Sequence, residues 1–444
     1  MKKLLLLTTV SLFFILNINA QGYTDNGKLI KYRRSSIATM MVIHPEDEFS
    51  NDIKDAYLEI PTPDKFNDHN TGLKIIDANG FKNVKPKDKP GLYKAVYGKN
   101  LSEKEINKNG VAIEEFLNNI NIGTNLIAIW YNLSLDSANM NMEIIKERGQ
   151  YDASSMDVEK AKRTIRGIAA ISDAGEELIS KTFIIVNDMT YVTAEQKAKV
   201  AKTTMSILGG IGDAFLGGGT VSGVTDLAGA IADSFTGFRV RNHSYLFQLQ
   251  WNDSIQAVFY DKYYTQISDS AKIRAFINDS SLFKVKYVAH EYEFDENSVL
   301  KGKYDRHDLI KINCARSQDK NIASLQLAYE DFKLKTPIFK NLGDDEKGKF
   351  IGYAAKVGLK EGITEKSKFQ LIEQILDPET NKTYYKYVAT MQPVKGKIWD
   401  NRYMATEEKE EGSELSYTIF KKKSGGEVRE GMLLIEGKYE KAKK

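Results

Sequence analysis

A single cysteine, Cys314, occurs among the 444 residues of this chain. A disulfide needs two cysteines, so none can form within the chain. The fold therefore has to be held together by the packing of apolar side chains. The composition permits this, because 42% of the residues are hydrophobic and 28% are charged, a balance typical of globular proteins. Cys314 lies in the apolar-leaning run 309–315, which predicts a small buried side chain rather than a nucleophile.

The first twenty residues have the layout of a secretory signal peptide. Lys2 and Lys3 precede an apolar stretch at 4–16, which is shorter than the roughly 20 residues that a membrane-spanning helix needs. The small residue Ala20 is the natural cleavage point, and no cysteine lies near it to accept a lipid. We expect cleavage after Ala20 and a periplasmic or secreted product, with an uncleaved N-terminal anchor as the alternative.

The net charge argues against a polyanionic partner. Without Lys2 and Lys3, 61 of the 63 basic residues remain against 60 acidic ones. Proteins that bind nucleic acids draw on a basic excess that neutralises phosphates, and the mature chain lacks one. We therefore expect no nucleic-acid partner. The length predicts two or three domains.

The pattern of apolar residues predicts an α+β protein with several domains. Residues 21–140 contain short apolar runs, such as 37–43, broken by Asp, Asn, Gly and Pro, which is typical of short strands and long turns. The central region 141–335 has a residue pattern typical of α/β structure. In it, helical spacing over 156–178 precedes a β-branched run at 182–186 that predicts a buried strand.

The rest of the central region predicts further elements. A capping box at 193–196 predicts a helix that runs to about residue 208. Alternation of apolar and polar residues over 245–251 predicts a half-buried strand. A second helix is predicted with Ser317 as its N-cap and with Pro337 closing it off.

The C-terminal region 336–444 is rich in short strand-like runs separated by turns, which predicts a small β-barrel-like domain. The predicted strands are 350–357, 369–376, 384–391, 415–420 and 432–435.

Two resemblances to known families accompany this pattern. Residues 355–373, with the glycines Gly358 and Gly362 ahead of Phe369, and the run 429–436 resemble the small β-barrel modules of bacterial envelope and flagellar assembly proteins. Separately, the segments 60–70, 145–154 and 173–183 resemble a secreted or periplasmic family of Bacteroidota. That family brings no known activity, so the second resemblance implies a compartment and no chemistry.

The glycine-rich stretch 205–237 contains nine glycines and no lysine or arginine. Each glycine inside a helix costs about 1 kcal/mol relative to alanine, which favours two short helices joined at 217–219. One interpretation is a hairpin that meets a membrane or a partner, because small residues permit close helix approach in lipid. The alternative is a helical flap on its own domain. The apolar residues proposed for the contact are Leu216, Val224, Leu227, Ile231 and Phe235.

Nucleotide and serine-hydrolase signatures are not found in the sequence. The nearest approach to a phosphate-binding loop, 343–350, ends in Phe350, where a magnesium-binding hydroxyl is needed, and its acids would repel phosphate. It is interpreted as a charged turn. A Gly-x-Ser-x-Gly elbow does not occur. We expect no nucleotide and no other cofactor.

The five histidines carry no recognisable metal-binding spacing. His290, Glu293 and His307 could meet around a metal only if the fold brought them together; the alternative is that they are ordinary surface or capped residues. The aromatic cluster at 251–264 could line a ligand groove, but core packing is the favoured interpretation.

The failure of every strong catalytic motif favours a non-catalytic protein. We expect a cell-envelope binding or assembly factor whose partner is an envelope protein or a membrane surface. One alternative is a periplasmic hydrolase whose site is assembled from distant carboxylates or histidines. Another is a membrane-inserting protein that acts through 205–237.

Overall fold

A computed structural model describes the chain in twelve stretches: 23–25, 28–30, 35–63, 66–83, 92–94, 100–152, 178–193, 238–297, 306–333, 335–376, 383–403 and 415–437. Those residues form an α+β fold with more than one domain, as the sequence predicts. Among them, no helix combines the length and the apolar character needed to cross a membrane.

The strands are β1 Tyr23–Asp25, β2 Lys28–Ile30, β3 Ser36–Ile43, β4 Asn67–Asp68, β5 Ile75–Asp77, β6 Thr182–Thr193, β7 Phe238–Leu249, β8 Val285–Asn297, β9 Thr336–Asn341, β10 Tyr353–Ala355, β11 Phe369–Leu376, β12 Thr383–Pro393, β13 Thr418–Gly425 and β14 Leu433–Glu436. The helices are α1 Ser50–Leu58, α2 Glu103–Asn119, α3 Ile122–Trp130, α4 Glu143–Asp152, α5 Asp253–Lys262, α6 Ser270–Asn278 and α7 Arg306–Ala328.

A six-stranded mixed sheet organises the first domain, in the order β4-β3-β6-β7-β8, with β5 beside β4 on the same edge of β3. Strand β3 runs parallel to β4, β5 and β6, whereas β6, β7 and β8 are antiparallel neighbours. Strands from the predicted N-terminal and central regions therefore share one sheet. The apolar runs 37–43 and 182–186 lie in β3 and β6, as expected, and are buried or nearly so.

Helices cover both faces of this sheet. On one face, α2, α3, α5 and α6 pack against β3, β6 and β7 in the largest apolar core, which contains Trp130, Phe247 and Phe259. The predicted aromatic cluster at 251–264 belongs to this core or packs against it, so the core interpretation is confirmed. On the other face, α1 and α7 pack around Met41 and Met189. Cys314 of α7 is fully buried there, as predicted, and burial raises the pKa of its thiol well above the usual range.

The second domain consists of strands β9 to β14. They pair in the closed order β10-β13-β12-β11-β14-β9, and every pairing is antiparallel. Phe369, Leu371, Met391 and Phe420 fill its interior. The stretch 343–350 forms a charged turn, as predicted, in which Asp345 accepts hydrogen bonds from backbone amides of the same turn.

Three predictions about local structure were wrong. The N-terminal region is not made only of strands and turns, because it contains α1, α2 and α3. Ser317 does not cap a helix; it lies inside α7, and its hydroxyl donates to the carbonyl oxygen of Cys314, 3.0 Å away. Pro337 lies in β9 rather than closing off a helix, which ends at Ala328.

The strand predicted to be half-buried is buried on both faces. In β7, Tyr245 and Phe247 contact the larger core, while Leu246 packs on the side of α7. Polar side chains of β7 also lie under α7, where they form a buried network: Asn321 Nδ2 donates to Ser244 Oγ at 2.6 Å, and Ser244 Oγ donates to Asn187 Oδ1 at 2.6 Å. Alternating polar residues in β7 therefore mark a second buried face and not solvent.

Candidate functional site

A groove lies between the C-terminal half of α7 and the barrel, where the two domains meet. Such junctions are common places for binding sites. The lining residues come from α7, from the connection to β9 and the first residue of β9, from the turn after β10, and from β11 and β14. They are Ala323, Gln326, Leu327, Lys333, Thr336, Val357, Glu361, Ile363, Phe369, Leu434 and Glu436.

The turn after β10 forms one wall of the groove. Gly358 has no room for a side chain, because a Cβ there would collide with the carbonyl oxygen of Trp399. Glu361 fixes the turn, since its Oε2 accepts hydrogen bonds from the backbone nitrogen of Gly358 at 2.6 Å and from Asn401 Nδ2 at 2.9 Å. Gly362, at φ 72°, ends the turn in the left-handed conformation that glycine adopts without strain.

The same turn is tied to α7. The ammonium group of Lys360 lies 3.7 Å from Asp319 Oδ1, and the Arg316 guanidinium donates to the carbonyl oxygen of Tyr403, with Nη2 at 2.9 Å. The two walls of the groove are therefore connected by polar contacts between the domains.

The groove combines an apolar floor with carboxylates. Val357, Ile363, Phe369 and Leu434 are buried, whereas Leu327 on the α7 wall is 55% exposed. Glu436 is half-buried at the end of β14. Burial raises the pKa of its carboxyl, and the hydrogen bond from Ser367 opposes that rise without cancelling it. An arrangement of this kind can bind an apolar group that carries a positive charge.

A second cluster of polar side chains crosses the sheet on the face that packs against α2. It consists of His44, Asp188, His243 and His290, and we call it the histidine row. His44 directly follows β3, and Asp188 of β6 pairs in register with His243 of β7. His290 of β8 pairs with Tyr245, which lies two residues after His243 on β7. His44, Asp188 and His243 are buried, at 5%, 3% and 2% exposed, and His290 is partly buried.

Hydrogen bonds connect the row in two pairs. His44 Nε2 lies 2.7 Å from Asp188 Oδ1, and His243 Nδ1 lies 2.9 Å from His290 Nε2. Burial disfavours the imidazolium form of His44, but the hydrogen bond and the charge of Asp188 outweigh it and raise the pKa of His44. Burial lowers the pKa of His243 to about 4, and that of His290 to about 3 with help from His243.

The histidine row can hold and transfer protons, because one histidine favours the charged form and two stay neutral near pH 7. It does not make a metal centre: in the part of the chain that the structure describes, no group of three or more His, Cys, Asp or Glu side chains is arranged to hold a metal ion.

The three residues considered for a metal have different partners in the structure. His290 belongs to the histidine row, while Glu293, three positions later on β8, lies on the opposite face of that strand. His307, near the start of α7, has its Nε2 3.3 Å from Glu59 Oε1. The structure therefore does not bring these three side chains together.

The contact residues proposed for the glycine-rich stretch, Leu216, Val224, Leu227, Ile231 and Phe235, lie outside the described residues. The helices predicted over 156–178 and 194–208 also lie outside the described residues, except for residue 178. Thr193, the expected helix cap, is the final residue of β6.

No protein-family model matches the chain, and no curated protein matches it.

Sequence reasoning missed both clusters. The groove joins residues from 323 to 436, and the histidine row joins residues from 44 to 290. One local signal was present: Asp188 follows the apolar run 182–186 within the same strand, and a carboxylate continuing a buried strand needs a partner.

Proposed function

We propose that this protein is a non-catalytic binding or assembly factor of the bacterial cell envelope, exported by a signal peptide that is cleaved after Ala20. The observation that carries the proposal is the groove between α7 and the barrel. Its floor is apolar, its rim carries carboxylates, and both domains contribute to it. A surface of this composition suits an envelope protein as partner better than a polyanion or a nucleotide.

The exposure of Leu327 supports this role. Its side chain is 55% exposed beside the buried floor residues Phe369 and Leu434, so it extends the apolar surface from the interior to the solvent. A large aliphatic side chain at the mouth of a lined groove is the kind of contact that becomes buried when a partner docks.

The test is the size of the complex that the protein forms in its own envelope. We expect the tagged chain, extracted in mild detergent, to migrate in native electrophoresis as a complex larger than the monomer. Leu327→Asp should return it to the monomer position. Val111→Asp, at a site on α2 that is 58% exposed and remote from the groove lining, is the matched control and should leave the complex intact. A wild-type protein that always migrates as a monomer would overturn the proposal.

A second candidate function, acid–base catalysis in a hydrolase, is favoured by the histidine row. The row joins a carboxylate and three histidines that are distant in sequence, and the His44–Asp188 pair is the arrangement that orients a general base. Turnover of a chromogenic ester by the purified protein, lost in His44→Gln and retained in Leu327→Asp, would favour this function over the binding role.

A further inference from the structure

The groove contains three charged side chains, and two of them already have partners of their own. Glu361 accepts hydrogen bonds from Gly358 and Asn401. The ammonium group of Lys333 lies 2.5 Å from Glu330 Oε2. These two charges belong to the framework of the groove.

Glu436 differs from both. Its hydrogen-bond partner is the neutral hydroxyl of Ser367, and it forms no salt bridge with any of the described residues. A half-buried carboxylate without a cation has lost part of its hydration and has gained no opposite charge in return. It is therefore the charge in the groove that a ligand can satisfy.

The surroundings of Glu436 define the shape of that ligand. Phe369 pairs with Glu436 across β11 and β14, and Leu434 lies two residues earlier on the same face of β14. Both line the groove with Glu436, as do Ile363 and Leu327. A ligand that fits needs several methylene groups for the apolar floor and a positive charge at the end that reaches the carboxylate.

We infer that the groove receives a lysine or arginine side chain, next to an apolar residue, from an extended segment of a partner protein. The methylene stem of such a side chain packs on the floor while its charged end reaches Glu436. The groove carries two carboxylates, Glu436 and Glu361, against one ammonium group, Lys333, so an acidic segment is disfavoured. This inference rests on the proposed function and specifies the chemistry of the partner.

The probe is n-butylammonium, which reproduces the stem and charge of lysine, and n-butanol is its uncharged counterpart. Methyl-labelled mature protein is titrated with each, and the NMR shifts of the Leu327, Val357, Ile363 and Leu434 methyl groups are followed. We expect saturable shifts with the amine and about fivefold weaker binding of the alcohol, in line with one charge-assisted hydrogen bond in a partly solvated site. Equal affinities, or no shift of these methyl groups, would overturn the inference.

Two variants make the assignment specific. Glu436→Gln keeps the shape of the side chain and should reduce amine binding about fivefold while leaving alcohol binding unchanged. Glu346→Gln, in the exposed turn at 343–350, is the control and should change neither. Loss of alcohol binding in Glu436→Gln would mean that the groove itself was disturbed, and it would contradict the assignment.

Failure of this inference is distinguishable from failure of the proposed function. If the amine has no advantage but the native complex still depends on Leu327, the groove binds a partner of different chemistry. If the complex is absent as well, the proposed function fails together with the inference.

Discussion

The Nε2 atom of His44 lies 2.7 Å from Oδ1 of Asp188, and both side chains are almost fully buried. This pair joins the end of β3 to the middle of the parallel strand β6. Because a carboxylate removed from water needs a charged or hydrogen-bonding partner, the pair affects both the stability of the sheet and its dependence on pH.

Replacing His44 with glutamine should destabilise the protein most at low pH. The pKa of His44 is raised in the folded state, so its stabilisation is complete below the unfolded value of about 6.5 and is lost as the pH rises through the folded pKa. We expect His44→Gln to lower the free energy of unfolding by about 2 kcal/mol at pH 5.5 and by less at pH 9, as measured by urea denaturation.

The control for this experiment is His307→Gln. His307 is partly exposed and contacts Glu59 at the surface, and such pairs contribute about 0–1 kcal/mol. The His307→Gln variant should have nearly the same free energy of unfolding as the wild type at either pH. An equal loss for His44→Gln at both pH values would contradict the pairing of a charged His44 with Asp188.

His243 should have the opposite dependence on pH. Burial lowers the pKa of His243 to about 4. Between pH 6.5 and pH 4 the unfolded chain therefore binds a proton at this histidine that the folded protein does not bind. Acid thus favours unfolding. The pKa shift corresponds to a decrease in the free energy of unfolding on the order of 3 kcal/mol across that pH interval. We expect His243→Gln to lose correspondingly less stability between pH 7 and pH 4 in urea denaturation, whereas a variant as acid-sensitive as the wild type would refute the burial of a neutral His243.

Gly358 should be intolerant of alanine. A Cβ at this position would meet the carbonyl oxygen of Trp399 and the side chain of Asn401, at distances that force one of them to move. Overpacking of this kind costs about 1–3 kcal/mol, and we expect a lower melting temperature for Gly358→Ala. Gly426→Ala is the matched control in the same domain, because the nearest atom to its Cβ is 3.5 Å away. Equal melting temperatures would mean that the turn has more space than the structure indicates.

Strands could be predicted from the sequence where one local feature determined them. The runs 37–43 and 182–186 are continuous and rich in apolar residues, and they form β3 and β6 because both faces of these strands are covered. In the C-terminal domain, the prediction for 369–376 coincides with β11.

Helices could not be predicted where the sequence signal for a helix is weak or where neighbouring residues favour a different structure. Helix α1 begins after Phe49, which provides no side-chain cap, so the chain gives no start signal there. Helix α2 does begin with a capping box, Ser102 with Glu105, but the turn residues around it obscure that signal in the sequence. In α7, Gln318 and Asn321 face the sheet and bond to Asn187 and Ser244, so the buried side of that helix does not look apolar.

The two candidate sites could not be predicted because they depend on tertiary structure alone. The histidine row requires the strand order β3-β6-β7-β8, which places residues 44, 188, 243 and 290 side by side. The groove requires the barrel to pack against α7 through contacts such as Lys360 with Asp319. No spacing in the sequence encodes either arrangement.

Photo-crosslinking in living cells tests the binding role most directly. A benzophenone amino acid is placed at Leu327 in the groove wall and, as the control, at Val111 on the surface of α2. We expect one discrete adduct with an envelope protein from position 327 and none from position 111. No adduct at 327, or the same adducts from both positions, would contradict a partner that docks in the groove between α7 and the barrel.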